Sequence, residues 1–199
     1  KNMKRTLFFI STFFVLINFC SCNLFTKNKS YLENTNTITV TCNDYYYVFK
    51  PKTYNKGIIF YPDENIKTEA YAELLHKLAD EGYATFLAKG YKINNVEVAD
   101  MAIALYKNIT QWYIGGHSSG GTAVTEYLEN NSNPYTGLFL LSSFSEVDLS
   151  EKSLNILSIY GSNDLILDVE KYNTNKNNLG TNMNLKLLID DFIIKFSEV

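Results

Sequence analysis

Residues 112–128 read WYIGGHSSGGTAVTEYL, and this stretch decides the fold. The apolar run Trp112–Gly115 is typical of a short buried strand, and the residues after Ser118 follow a helical pattern. Glycines crowd the junction between the two. Because glycine lacks a Cβ atom, it allows close packing of strand and helix, and it tolerates a strained backbone between them. We therefore predict a sharp strand-to-helix turn with Ser118 at its tip.

Further apolar runs predict other strands buried on both faces. These runs are Gly57–Tyr61, Ala84–Ala88, Gly137–Leu141, Asn155–Tyr160 and Leu185–Ile189. Two helical patterns lie between them, one with Thr68 as its N-terminal cap and Gly82 as its C-terminal cap, and one over Glu97–Lys107. Strands that alternate with helices predict an α/β fold with a mostly parallel sheet.

An antiparallel hairpin is predicted at the start of this sheet. The β-rich runs Thr37–Cys42 and Tyr45–Lys50 are separated by Asn43 and Asp44, a pair that favours a turn. Between Leu141 and Asn155 there is room only for a short connection, so no large lid domain is expected.

Composition excludes several classes of function. The 199 residues are 46% hydrophobic and 20% charged, which suits one globular domain. A net charge of −3 predicts no nucleic-acid partner. The few His and Cys residues are scattered, so we expect no metal site and no cofactor. A nucleotide-binding loop is disfavoured because GGHSSGG lacks the Lys-Ser/Thr ending of a P-loop.

The N-terminus has the pattern of an export signal. Basic residues precede the apolar run Leu7–Phe19, which as a helix spans roughly 20 Å, less than the roughly 30 Å core of a bilayer. The ending FCSC resembles the lipobox of bacterial lipoproteins, in which a small residue precedes an acylated cysteine. We predict a signal peptide over residues 1–21, lipidation at Cys22, a tether over 22–36 and a domain over 37–199. A plain signal peptide or an uncleaved anchor is the alternative.

Gly116-His117-Ser118-Ser119-Gly120 matches the pattern G-x-S-x-G between a predicted strand and a predicted helix. In that context Ser118 would be a nucleophile, and the backbone N–H of Ser119 would stabilise an oxyanion with help from the helix dipole. The alternative is that the glycines serve close packing alone.

Several motifs occur in the order that α/β-hydrolases show. They are GIIFYP, EAYAELLHKLADEGY, GGHSSGG and IYGSNDLI. Over roughly Gly57–Ile189 the chain resembles the alpha/beta hydrolase fold-5 group, which is related to dienelactone-hydrolase-like enzymes. The resemblance implies a serine hydrolase that acts on a carboxylic ester or related acyl bond of a small molecule through a Ser-His-Asp mechanism.

The resemblance also implies roles for two aspartates. Asp164, after the strand Asn155–Tyr160, would orient the catalytic histidine, with Asp168 as the local competitor and a simple turn role as the alternative for Asp164. The backbone N–H of Asp63 would be the second oxyanion donor. Relatives usually carry glycines there, and the carboxylates of Asp63 and Glu64 would oppose a developing negative charge.

The catalytic histidine is missing from its expected place. The chain has two histidines, and neither follows Asp164. We expect His117 to point away from the Ser118 hydroxyl and His76 to be a solvated surface residue. Either the sequence is truncated or frame-shifted near Asp190, which we favour, or the protein is a catalytically dead surface lipoprotein that acts as a binding module.

The anchor can be tested directly. If Cys22 is acylated, the protein should enter the detergent phase and incorporate labelled fatty acid, because stable anchoring needs about two acyl chains. Cys22→Ser should abolish both properties, whereas Cys20→Ser should leave them intact. Unchanged partitioning of Cys22→Ser would leave the apolar run as the anchor.

Overall fold

The computed structural model describes residues 29–90, 97–132, 135–161 and 164–180. Its seven strands are β1 (Ile38–Cys42), β2 (Tyr46–Pro51), β3 (Lys56–Tyr61), β4 (Tyr83–Ala88), β5 (Gln111–His117), β6 (Tyr135–Leu141) and β7 (Asn155–Ile159). They form one sheet in the order β1-β2-β4-β3-β5-β6-β7. The pairs β1–β2 and β2–β4 are antiparallel, and all other pairs are parallel. The predicted fold class is confirmed; the predicted strand Leu185–Ile189 lies outside the described residues.

Among the described residues, four helices flank the sheet, namely α1 (Ala72–Asp80), α2 (Glu97–Leu105), α3 (Ser119–Asn130) and α4 (Val169–Asn175). The predicted cap at Thr68 is wrong, because Thr68 lies inside a 3₁₀ turn that precedes α1, with Lys67 at its N-cap position. Gly82 does follow the end of α1, with φ of 92° and its N–H donating to the carbonyl of Ala79. Of the described helices, none is long and apolar enough to cross a membrane.

Both faces of the sheet are covered by apolar clusters, as the continuous hydrophobic runs predict. On one face Ile59 and Tyr61 belong to a cluster that includes buried residues of α2 and α3. On the other face Ile58 and Phe60 belong to a cluster with α1. Because side chains alternate along a strand, β3 contributes to both clusters and lies at the centre of the fold.

Trp112 shows why a glycine stands in β3. The Trp112 side chain is buried, and its ring centroid lies 5.5 Å from that of Phe86. A Cβ atom at Gly57 would lie 2.5 Å from the Trp112 ring. The indole therefore fills the space that a side chain on β3 would need.

The prediction that His76 is a solvated surface residue is wrong. The side chain is buried on α1, and its ring lies edge-on to Tyr31 and Phe49, with centroid separations of 5.6 and 6.1 Å. Tyr31, which falls in the predicted tether, covers this ring and donates a hydrogen bond to Glu73. The helical pattern of α1 alone gives no sign of a segment 45 residues away, which is why the burial was missed.

Neither ring nitrogen of His76 has a hydrogen-bond partner among the described residues, although Nδ1 lies 3.4 Å from a carboxylate oxygen of Asp80. Because an unsatisfied buried polar group is costly, His76→Phe should leave the melting temperature unchanged or raise it. Leu75→Ala, at a fully buried neighbour, should lower the free energy of unfolding by about 2–5 kcal/mol. Thermal and denaturant unfolding measure both. If His76→Phe lowered the free energy of unfolding as much as Leu75→Ala does, the imidazole would have to make a stabilising polar contact.

Candidate active site

Ser118 lies on a sharp turn between β5 and α3, at the carboxyl edge of the sheet. Its φ of 51° and ψ of −121° are values that residues other than glycine rarely adopt. The end of β6 and the loop after it support this backbone: the Ser118 N–H donates to the carbonyl of Leu141 at 2.9 Å, and the Ser143 hydroxyl donates to the Ser118 carbonyl at 2.8 Å. The predicted strained turn is confirmed.

Glycines allow four segments to pack closely at this turn, namely β5, α3 and the loops that follow β3 and β6. A Cβ atom at Gly116 would lie 2.5 Å from the backbone of Gly120. At Gly120 it would lie 2.3 Å from the Pro62 carbonyl oxygen, and at Gly121 2.5 Å from the hydroxyl of Ser143. The first turn of α3 therefore touches the loop after β3 directly.

That contact brings the Asp63 carboxylate to Ser118 and Ser119. Asp63 is 9% exposed, and its carboxylate accepts from the Ser119 hydroxyl at 3.2 Å and from the Asn65 N–H at 2.8 Å. The Ser118 side chain and the Ser119 backbone N–H lie close enough to stabilise its negative charge as well. Burial raises the pKa of the Asp63 carboxyl, but these hydrogen bonds outweigh burial and hold the pKa below its ordinary value. Asp63 is therefore ionised at neutral pH.

The backbone N–H of Asp63, predicted as the second oxyanion donor, has another partner. It donates to the Tyr71 hydroxyl at 3.1 Å. The N–H of Glu64 donates to the Ser119 hydroxyl at 3.0 Å. Both amides of this loop therefore bind protein side chains, and a substrate oxygen could use the Asp63 N–H only by displacing Tyr71.

His117 belongs to the same hydrogen-bonded group. Its Nδ1 lies 2.8 Å from the Tyr71 hydroxyl, which places this nitrogen in a contact with Tyr71 rather than with the Ser118 hydroxyl. Burial lowers the pKa of the imidazole, while the charges of Asp63 and Asp164 act in the opposite direction. His117 is thus neutral at neutral pH.

Asp164 follows β7 near the same edge of the sheet. Its carboxylate accepts from the N–H groups of Leu167 at 3.0 Å and Ile166 at 2.9 Å. These bonds, together with the nearby Ser142 side chain, lower the pKa of Asp164. Its charge also acts on His117. Asp168, the predicted competitor, caps α4 by accepting from the N–H of Lys171 at 2.9 Å. Of the two aspartates, Asp164 is therefore the one near the turn.

Sequence reasoning missed three residues that hold the site together, Tyr71, Ser142 and Ser143. A signal existed for the serines, because they directly follow the buried run of β6, where the carboxyl ends of parallel strands gather. Tyr71 gave no separate signal. It looks like one more apolar position of a helix, and its ring does contact Phe60, with a centroid separation of 5.1 Å.

The arrangement has the parts of an acyl-transfer site. A half-buried hydroxyl stands on a strained turn, and the N–H groups at the start of a twelve-residue helix lie beside it. Asp164 is an ionised carboxylate that could orient a base. No group of three or more His, Cys, Asp or Glu residues able to hold a metal ion occurs within the described ranges.

Comparisons with known proteins agree with this fold. A family model described as an alpha/beta hydrolase family matches residues 57–190. The solved structure of TT1662 from Thermus thermophilus has 12% sequence identity and a TM-score of 0.57, over 71% of this chain and 82% of that one. A "predicted CIB-like hydrolase" from Thermoplasma acidophilum has 11% identity and a TM-score of 0.57, over 80% of this chain and 96% of that one. At such identities the likeness shows a shared fold. No curated protein matches the sequence.

The pKa of His117 offers a test of this geometry. Because burial disfavours the imidazolium, the NMR titration midpoint of His117 should lie below its ordinary value of 6.5. Asp63→Asn should lower the midpoint further, because the Asp63 charge raises it. As pH falls from 6.5 towards that midpoint, the unfolded state binds the proton first, so His117 should reduce stability in this window.

His76→Phe assigns the two histidine signals, and Asp148→Asn serves as a control because the Asp148 charge is not among those acting on His117. A midpoint at or above 6.5, or one that Asp63→Asn leaves unmoved, would contradict the contact network.

Proposed function

Because this chain belongs to the alpha/beta hydrolase family, we propose that it is a serine hydrolase that cleaves a carboxylic ester or related acyl bond of a small molecule. The proposal rests on the backbone conformation of Ser118. Its positive φ places the hydroxyl beside the N-terminus of α3. Packing explains the glycines around this turn. It does not require a serine in the strained position, since glycine would adopt φ of 51° at less cost.

In the proposed reaction the Ser118 oxygen attacks the acyl carbon, its proton passes to a base, and the carbonyl oxygen gains negative charge. The Ser119 N–H, at the positive end of the helix dipole, stabilises that charge. The base then donates the proton to the leaving group, and water hydrolyses the acyl-enzyme. Asp164 would orient the base and stabilise its protonated form.

The base itself is the open part of the proposal. His117 is joined to Tyr71, and His76 is buried between aromatic rings on α1. Among the described residues, neither imidazole forms a hydrogen bond with Ser118 or Asp164. The reaction therefore needs a base that neither imidazole supplies to Ser118 within the described residues. This same observation favours the second candidate, a binding module that keeps the hydrolase fold without turnover.

We also propose that the protein is exported and held at the bacterial cell envelope by lipid on Cys22. The support is the sequence pattern at residues 1–22 alone.

Reaction with an activated fluorophosphonate, with and without free imidazole, separates the two candidates. Labelling should be slow in buffer and should rise about tenfold or more with imidazole, because a general base contributes on the order of 10²–10⁴ to such steps. Ser118→Ala should abolish labelling, and mass spectrometry should locate the adduct on Ser118. The rate of ester hydrolysis should change in the same way: slow in buffer, faster with imidazole, and at background in Ser118→Ala.

Asp164→Asn should remove most of the imidazole-dependent gain. Asp168→Asn is the matched control: it removes a carboxylate from the same loop but keeps a good helix cap, so the gain should persist. No labelling of Ser118 under any condition would reject the hydrolase and favour the binding module.

A further inference from the structure

A carboxylate of the protein itself lies beside Ser118, at the first residue of α3. One oxygen of Asp63 accepts from the Ser119 hydroxyl at 3.2 Å, and the other accepts from the Asn65 N–H at 2.8 Å within the loop. The Ser118 side chain and the Ser119 N–H lie close enough to stabilise the same negative charge. With 9% of its surface exposed, the side chain is enclosed by these groups.

We propose that Asp63 is an internal ligand of the oxyanion site, and that an acyl substrate must displace it before Ser118 can react. The inference rests on the proposed function. Asp63 thus competes with the substrate for the Ser119 N–H and so limits the reaction of Ser118. The reaction does not change Asp63 chemically.

The chemistry of the two occupants explains the competition. A carboxylate oxygen and the oxyanion of a tetrahedral intermediate both carry negative charge and both accept hydrogen bonds from N–H groups. Hydrogen bonds to an ionised acceptor are roughly twice as strong as those to a neutral one, so a neutral ester carbonyl competes poorly with Asp63. The negative charge of Asp63 would also oppose the developing oxyanion.

The loop is built to keep the carboxylate in place. The Glu64 N–H donates to the Ser119 hydroxyl at 3.0 Å, and the Asp63 N–H donates to Tyr71 at 3.1 Å. The absence of a Cβ atom at Gly120 lets the carbonyl of Pro62 approach α3. Displacement of Asp63 therefore requires movement of its side chain, or of a loop that is bound on both sides.

A role as general base is the competing explanation for a carboxylate that lies beside Ser118. The groups around Asp63 stabilise its ionised form, which makes the carboxylate a weak acceptor for a serine proton. Asp63 also lies beside the Ser119 N–H, which the same reaction needs to stabilise the oxyanion. The two roles predict opposite effects of removing the carboxylate.

The experiment measures fluorophosphonate labelling of Ser118 in the presence of imidazole for the wild-type chain and for Asp63→Ala, Asp63→Asn and Glu64→Ala. Asp63→Ala should label about tenfold faster, because a hydrogen-bonded charged competitor is removed. Asp63→Asn, which keeps the shape of the side chain, should fall between Asp63→Ala and wild type. Glu64→Ala removes the neighbouring carboxylate, which is exposed and therefore screened by solvent, and keeps the Glu64 N–H that binds Ser119, so it should label at close to the wild-type rate. Slower labelling of Asp63→Ala would overturn the proposal in favour of the base.

Acetate provides a readout that does not depend on reactivity. In Asp63→Ala, acetate should bind at the vacated position, shift the backbone amide resonance of Ser119 and slow labelling towards the wild-type rate. The wild-type chain and Glu64→Ala should show neither effect. Acetate binding without labelling in any variant would uphold the internal ligand and reject the hydrolase. Failure of acetate to shift Ser119 in both folded Asp63 variants would overturn the internal ligand, whatever the labelling result.

Discussion

The architecture of the site depends on one close approach, that of the first turn of α3 to the carboxyl end of β3. At Gly120 the helix backbone lies so near the carbonyls of Tyr61 and Pro62 that a Cβ atom would be 2.4 and 2.3 Å from their oxygens. This contact fixes how far the loop after β3 lies from Ser118. Without it, Asp63 and Glu64 would not reach Ser119, and the strained turn would stand open on that side.

The electrostatics of the site follow from backbone donors as much as from side chains. Asp63 and Asp164 both remain ionised because backbone N–H groups donate to their carboxylates and nearby serine side chains stabilise the charge. Between them, His117 stays neutral because burial outweighs their combined attraction for a proton. The region around Ser118 therefore carries negative charge, which favours neutral or cationic molecules over anionic ones in the approach to the hydroxyl.

The fold could be read from the sequence because its signals are local. Continuous apolar runs mark strands covered on both faces, and the glycines around Ser118 mark a turn whose backbone few other residues allow. The predicted ends of the helices were less accurate. Helix α2 ends at Leu105 instead of the predicted Lys107, at a point where the sequence has no strong helix-stop signal. Thr68 has the chemistry of a cap, yet the chain forms a 3₁₀ turn before α1, and residue type alone does not distinguish the two.

The site was predicted less completely because its decisive contacts join distant segments. The sequence indicated that a carboxylate at Asp63 would disturb an oxyanion, but it gave no distance, and the structure brings that carboxylate to Ser119 at 3.2 Å. Tyr71 and His117 are 46 residues apart, and their hydrogen bond arises only once β5 and the 3₁₀ turn are assembled. Such contacts depend on tertiary packing, which hydrophobic periodicity does not encode.

The packing of Trp112 gives the protein an intrinsic optical probe. It is the single tryptophan of the chain, it is buried, and it belongs to β5, the strand that ends at the Ser118 turn. Its indole lies against Phe86 and the backbone of Gly57, so it senses the junction of three adjacent strands. Because the 15 tyrosines absorb at shorter wavelength, excitation at the red edge isolates its emission, which reports the solvation of the sheet centre from one defined place.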